Sequence, residues 1–106
     1  MRTLATWAGK SSFSYSGSVN QGTKISYGKE GAFFITVSGS QYTILLNNFR
    51  GRTVEIGTSR TDPPRGSIGE WLQANVTKTA IASYVGPILI AGGYAARIGR
   101  SQIKFI

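Results

Sequence analysis

The chain is 106 residues long, the size of a single domain, and carries twelve Lys and Arg against four acids, a formal net charge of +8. It contains neither cysteine nor histidine, which excludes disulfides, Cys or His metal sites, thiol nucleophiles and every mechanism that turns on imidazole. Its 41% apolar content suffices for a modest core and separates it from the low-hydrophobicity composition of disordered chains.

Most of the positive charge has no acidic partner in the sequence. A cationic surface of this kind raises encounter rates with polyanions and binds phosphate through counterion release, so nucleic acid, DNA or RNA, is the expected partner. An acidic protein is the rival partner. The opening residues Met1 to Lys10 hold no apolar run of the length a signal peptide needs, which makes the cytoplasm the expected compartment. Thr79 to Ala96 are eighteen uncharged residues, but Gly86, Pro87, Gly92 and Gly93 interrupt them, and membrane insertion is not expected.

Up to about Thr58 the chain is rich in Ser, Thr, Gly and aromatic residues, the mixture of short strands and tight turns. Phe13-Ser14-Tyr15-Ser16 alternates apolar and polar, Asn20-Gln21-Gly22 supplies a turn, and Lys24-Ile25-Ser26-Tyr27 resumes the alternation, predicting a hairpin. Ala32 to Val37 and Gln41 to Leu46 flank Ser38-Gly39-Ser40, which predicts a second hairpin. In that reading Phe33, Ile35 and Val37 meet Tyr42, Ile44 and Leu46 in the core, while Phe34 and Leu45 point the other way, implying either a sheet covered on both faces or an exposed apolar patch available to a partner. After a basic turn, Asn47 to Arg52, the segment Thr53 to Thr58 reads as a strand with Val54 and Ile56 inward.

Pro63 and Pro64 then break the β pattern. Ser67 and Glu70 match a capping box, and Ile68, Trp71 and Leu72 give the apolar stripe of a short helix ending near Asn75. Beyond Thr77, a candidate cap, Ile81, Tyr84, Val85, Ile88 and Leu89 keep helical spacing up to the stop at Gly92-Gly93. Pro87 opposes this, since an interior proline costs about 3 kcal/mol. In the rival reading the helix ends at Val85 and Ile88 to Ala91 pair with Tyr94 to Arg97 as a hairpin. The end of the chain predicts two strands around Gly99-Arg100, with Ile103 and Phe105 inward and Lys104 outward.

The expected fold class is therefore α+β: an antiparallel meander of four to five short strands, one or two helices, and a C-terminal β hairpin, in one basic domain spanning residues 1–106. The candidate nucleic-acid-binding residues are the loop arginines Arg50, Arg52, Arg60 and Arg65, with Phe49 beside them to stack on a base and Lys78, Arg97 and Arg100 as further contacts. The helix pair and the hairpin after it also have the proportions of a helix-turn-helix with a β wing, which would set Thr77, Lys78 and Thr79 at a helix start and Arg97 and Arg100 on the wing. Against that reading, the second helix is poor in charge, and a helix pair packed on a sheet explains it as well.

No catalytic residue, metal site or cofactor is assigned. The four acids, Glu30, Glu55, Asp62 and Glu70, form no obvious pair, and no glycine-rich phosphate cradle is present. Asn75-Val76-Thr77 spells a glycosylation acceptor at a helix junction, where chance explains it. Two alternatives to nucleic-acid binding remain: a protein-interaction or inhibitor module using a basic face with Phe34 and Leu45, and a histidine-free ribonuclease using Glu30 or Glu55.

Overall fold

The computed structural model describes all 106 residues. Seven strands, three α-helices and one 3-10 turn follow in chain order. Strands β1 (Arg2–Ala5), β2 (Ser12–Ser18), β3 (Gly22–Tyr27) and β4 (Phe33–Ser38) form an antiparallel meander in sequence order. The alternation in β2 does what its pattern demands. Phe13 and Tyr15 are buried, while the serines between and after them line the other face of the sheet. The 3-10 turn Lys29–Gly31 joins β3 to β4.

Helix α1 (Gly39–Phe49) follows β4 directly, where the sequence pattern predicts a loop and a further strand over Gln41 to Leu46. The cause is a capping box. Ser38 Oγ accepts from the Gln41 amide at 3.1 Å, and Gln41 Oε1 accepts from the Ser38 amide at 2.9 Å. Apolar residues at 42, 44, 45, 46 and 49 fit either period, and the two satisfied amides decide for the helix. Tyr42, Leu45 and Phe49 then share the buried face, and Ile44 turns outward. Leu45, placed on the outward face by the strand reading, is completely buried; Phe34 is exposed, and Phe33, expected in the core, is exposed as well because it lies on the edge strand β4.

Strand β5 (Thr53–Glu55) is shorter than its pattern, but Ile56 just beyond it is buried as predicted. Helix α2 (Ile68–Asn75) starts and ends where the sequence places it. Its box is shifted by one residue: Ser67 Oγ accepts from the Glu70 amide, while the Glu70 carboxylate accepts from Gly66 rather than from Ser67. Helix α3 (Ala82–Ala91) starts after Thr77, so Thr77, Lys78 and Thr79 lie in the loop before it. It runs through Pro87 to Gly92-Gly93, which excludes the rival hairpin over 88–97. Gly93 takes a φ of 83°, the left-handed conformation that ends helices. Strands β6 (Ala95–Ile98) and β7 (Gln102–Phe105) form the expected terminal hairpin, with Ile103 and Phe105 buried, and β5 pairs with β7 to make a second sheet in the order β5-β7-β6. The observed class is α+β, as the sequence implies.

How α3 tolerates its proline defines the architecture. Pro87 has no N–H, so the carbonyl of Ser83, four residues earlier, loses its helical donor. The Trp7 amide, from the segment between β1 and β2, donates to that carbonyl at 3.0 Å. Gly86 lets the Trp7 ring lie against the helix, for an added Cβ would come within 2.7 Å of Ile56 Cδ1 and 3.0 Å of the indole. Phe13 and Tyr27 pack on Tyr84 with centroids 5.1 Å apart in both pairs, so the N-terminal sheet covers α3. One core of 20 buried residues draws on both sheets and all three helices, so neither half is a separate domain. No helix is long and apolar enough to cross a membrane.

Tyr42 joins α1 to the first sheet, its hydroxyl 2.7 Å from that of Thr23 on β3 in a buried pair. Burial pushes its pKa up to about 12, the Thr23 hydrogen bond opposing and the neighbouring Tyr15 adding to the rise. The unfolded chain releases this proton near pH 10, so the stability it carries is complete below pH 10 and is lost as pH rises through 12. Two pKa units correspond to about 3 kcal/mol. Urea titrations between pH 9 and 12 will show this decline in the wild type and a shallower one in Tyr42→Phe, whose stability at pH 7 falls by about 1–3 kcal/mol because Thr23 loses its buried partner.

Candidate functional site

The cationic residues are distributed unevenly. None of the three α-helices contains a Lys or Arg, so all twelve lie in strands, turns and loops. Three of the arginines named from sequence line two adjoining clefts that share Thr58 and are together called the groove, Arg97 and Arg100 in one and Arg60 in the other.

The first part of the groove is a cleft of about 420 Å³ lined by Trp7, Ala8, Ile56, Thr58, Arg97, Arg100 and Ser101. The second, of about 380 Å³, is lined by Tyr27, Thr58, Arg60, Thr79, Ala80, Ser83 and Tyr84. Thr58 belongs to both walls, and Ser83, whose carbonyl holds the Trp7 amide, connects their floors. Each volume falls in the range of small-ligand clefts, about 300–1,000 Å³.

At the first end, the β6–β7 turn is built around Trp7. The indole N–H donates to the Arg100 carbonyl at 2.6 Å. Arg97 stacks its guanidinium over the indole, 4.2 Å from the ring centroid, and donates to the carbonyls of Trp7, Gly99 and Arg100 at 2.7, 2.8 and 3.3 Å. Three of its five N–H groups are thereby used and two remain for a ligand. Arg97 is thus a strut of the fold as well as a candidate contact. Arg100 takes part in the junction through its main-chain oxygen, and its side chain is exposed at the cleft.

At the second end the aromatic rings form a continuous series. Tyr84 stacks on Tyr27 at 5.1 Å, and Tyr27 stacks on Phe33 at 5.6 Å. Phe33 ends the series and is 58% exposed. Burial holds the Tyr84 phenol above the ordinary tyrosine value; the Tyr27 phenol adds to the rise and the nearby Arg60 guanidinium opposes it. Tyr84 therefore enters the groove as a neutral ring with a cation beside it.

The remaining sequence candidates lie elsewhere. Arg50 and Arg52 follow α1, at the Phe105 end of β7, where Arg50 donates to Asn47 Oδ1 and Arg52 to the Asn48 carbonyl. The length of β7, about 10 Å at 3.3–3.4 Å per residue, separates this corner from the turn that carries Arg100. Phe49 offers no ring face to a base. It is 2% exposed, stacked on Phe105 at 5.4 Å and covered by the Arg52 guanidinium, because the helical periodicity of α1 turns it inward. Arg65 is exposed in the turn before α2, and Lys78 is exposed next to Thr79 of the second cleft.

Trp7, Tyr27 and Tyr84 line the groove and Phe33 stacks on Tyr27 beyond it, and sequence reasoning assigns none of the four to it. Trp7 carries no periodic signal, and only the uncompensated Pro87 hints that α3 requires a donor from outside. Three or more acids do not gather anywhere to hold a metal ion. No protein-family model matches the chain, and neither a curated protein nor a solved structure is similar enough to count as a match. Fold and site together define a basic α+β domain with an arginine-flanked, aromatic-floored groove at the junction of its two sheets.

The two arginines of the junction differ in their load. Arg97→Ala removes three charge-assisted hydrogen bonds and a cation–π contact, and is expected to lower unfolding stability by about 1–3 kcal/mol. Arg100→Ala keeps its main-chain bond to Trp7 and is expected to stay within about 0.5 kcal/mol of wild type in the same urea titrations.

Proposed function

We propose that the protein is a nucleic-acid-binding module that holds a phosphate backbone along the groove centred on Thr58. The supporting observation is the meeting of two clefts at Thr58 with Arg60, Arg97 and Arg100 on their walls. Arginine forks suit phosphate oxygens, and a net charge of +8 supplies long-range attraction. The first cleft then takes phosphate between Arg97 and Arg100, and Arg60 meets the backbone as it passes into the second.

Arg50 and Arg52 form a separate basic corner, Lys78 adjoins the second cleft next to Thr79, and Arg65, exposed before α2, adds to the attraction without fixing register. Binding is favoured over cleavage because Glu30 lines neither cleft and Glu55 stands behind the wall of the first, accepting from Ser101 Oγ at 3.5 Å without lining the cleft itself, so no pair of acids faces the grip. The protein-interaction reading keeps Phe34, which is 57% exposed with Lys24 over its ring, but loses Leu45 to the core.

The test is the salt dependence of affinity. Replacing Arg60 and Arg100 together by alanine is expected to weaken binding and to flatten the slope of log K against log salt by about 0.7–0.9 for each phosphate no longer neutralised. Replacing Arg50 and Arg52 instead is expected to leave most of the slope intact. An unchanged slope in the Arg60 and Arg100 variant, measured by fluorescence anisotropy at low and near-physiological salt, would overturn the assignment of the groove.

A further inference from the structure

We infer that the nucleic acid taken by this groove is single-stranded, its bases stacking on the aromatic series that ends at Phe33 while its phosphates face Arg60, Arg97 and Arg100. This inference rests on the binding function proposed above and adds the strandedness of the partner and a residue that senses it.

The helices provide the first reason. Duplex sequence is commonly read by a helix laid in the major groove, with basic and polar side chains projecting from it. The three helices here carry no Lys or Arg at all, and their only acid or base is Glu70. Helix α3 stands where a recognition helix would stand after α2, yet Ala82, Val85, Gly86, Ile88 and Leu89 are buried. Its Ser83 carbonyl is occupied by Trp7, and its Tyr84 ring lies beneath Phe13 and Tyr27. The N-terminal sheet thus covers the surface a duplex would need.

The groove provides the second. Its cations stand beside flat rings rather than on an open basic face. Tyr84, Tyr27 and Phe33 are already stacked on one another, so the series is fixed before a ligand arrives and costs no ordering on binding. Its last member is more than half exposed, on the edge strand of the sheet. A large aromatic ring left in water at the end of a stack beside an arginine cleft has the chemistry that receives an unpaired base. Paired bases stack on their own neighbours and present no face to it.

The experiment compares a short fluorescently labelled single strand, as DNA and as RNA, with the duplex of the same sequence, at low salt, for the wild type, Phe33→Ala and Phe33→Tyr. The expected result is tighter binding of the single strand, by about tenfold or more, the worth of one base–aromatic stack. Phe33→Ala is expected to lose about 5- to 150-fold on the single strand, the range for one such stack, and to leave duplex binding unchanged. Phe33→Tyr is expected to restore the wild-type affinity. Equal or tighter duplex binding, or no selective loss in Phe33→Ala, would overturn the single-strand inference while leaving the nucleic-acid function in place. Absence of binding to all three probes would overturn both.

Discussion

Helix α3 contains a proline at a position where the chain must replace a missing hydrogen bond from elsewhere, and Trp7 is the replacement. Its amide satisfies the Ser83 carbonyl, its indole N–H satisfies the Arg100 carbonyl, its own carbonyl accepts from Arg97, and its ring fills the space that Gly86 leaves open. An unsatisfied buried carbonyl costs about 1–3 kcal/mol, so the missing donor of Pro87 favours the one arrangement in which the N-terminal segment docks on the helix. Tyr94 adds a second tie, donating from the start of β6 to Asn20 in the β2–β3 turn. The two sheets are therefore held by directional bonds as well as by apolar contact, and the first cleft lies where the bonds of Trp7 converge.

The same junction accounts for the division of labour on the surface. Because the N-terminal sheet covers α3, the helices are used for packing and carry no cations, while strands and loops carry all twelve. Arg97 shows how close structure and function lie. It closes the β6–β7 turn, covers Trp7, and still turns part of its guanidinium toward the cleft. Arg60 reaches the groove from the loop between β5 and α2, the segment in which Pro63 and Pro64 end the β pattern.

Local chemistry makes much of the fold legible. The alternation of Phe13 and Tyr15 with serine and the Ser67 and Glu70 pair each point to one structure, and the chain forms it, while the spacing from Ile81 to Leu89 favours a helix over the rival hairpin and the helix forms. Residues 41–46 mislead because their apolar positions satisfy two periods at once. The deciding signal, Ser38 with Gln41 three residues later, is the same capping logic that locates α2. Phe49 misleads with them, since a strand and turn expose it and a helix buries it. The arginines of the site are legible as charge, but their convergence is not. Arg60 and Arg97 are 37 positions apart in sequence and come to line adjoining clefts only through the contact of Trp7 with α3, a tertiary event without local signature.

Ligand binding at the Trp7 junction can be read directly from the tryptophans. The protein has only two, Trp7 and Trp71, and Trp71 lies on α2 outside both clefts. A proton–nitrogen correlation titration of isotope-labelled protein with a short single strand reads both indole N–H groups at once. The Trp7 indole resonance, bonded to the Arg100 carbonyl, is predicted to shift progressively to saturation while that of Trp71 stays in place. Saturable binding that leaves the Trp7 resonance unmoved and perturbs the amides of Arg50 and Arg52 instead would contradict binding at the junction.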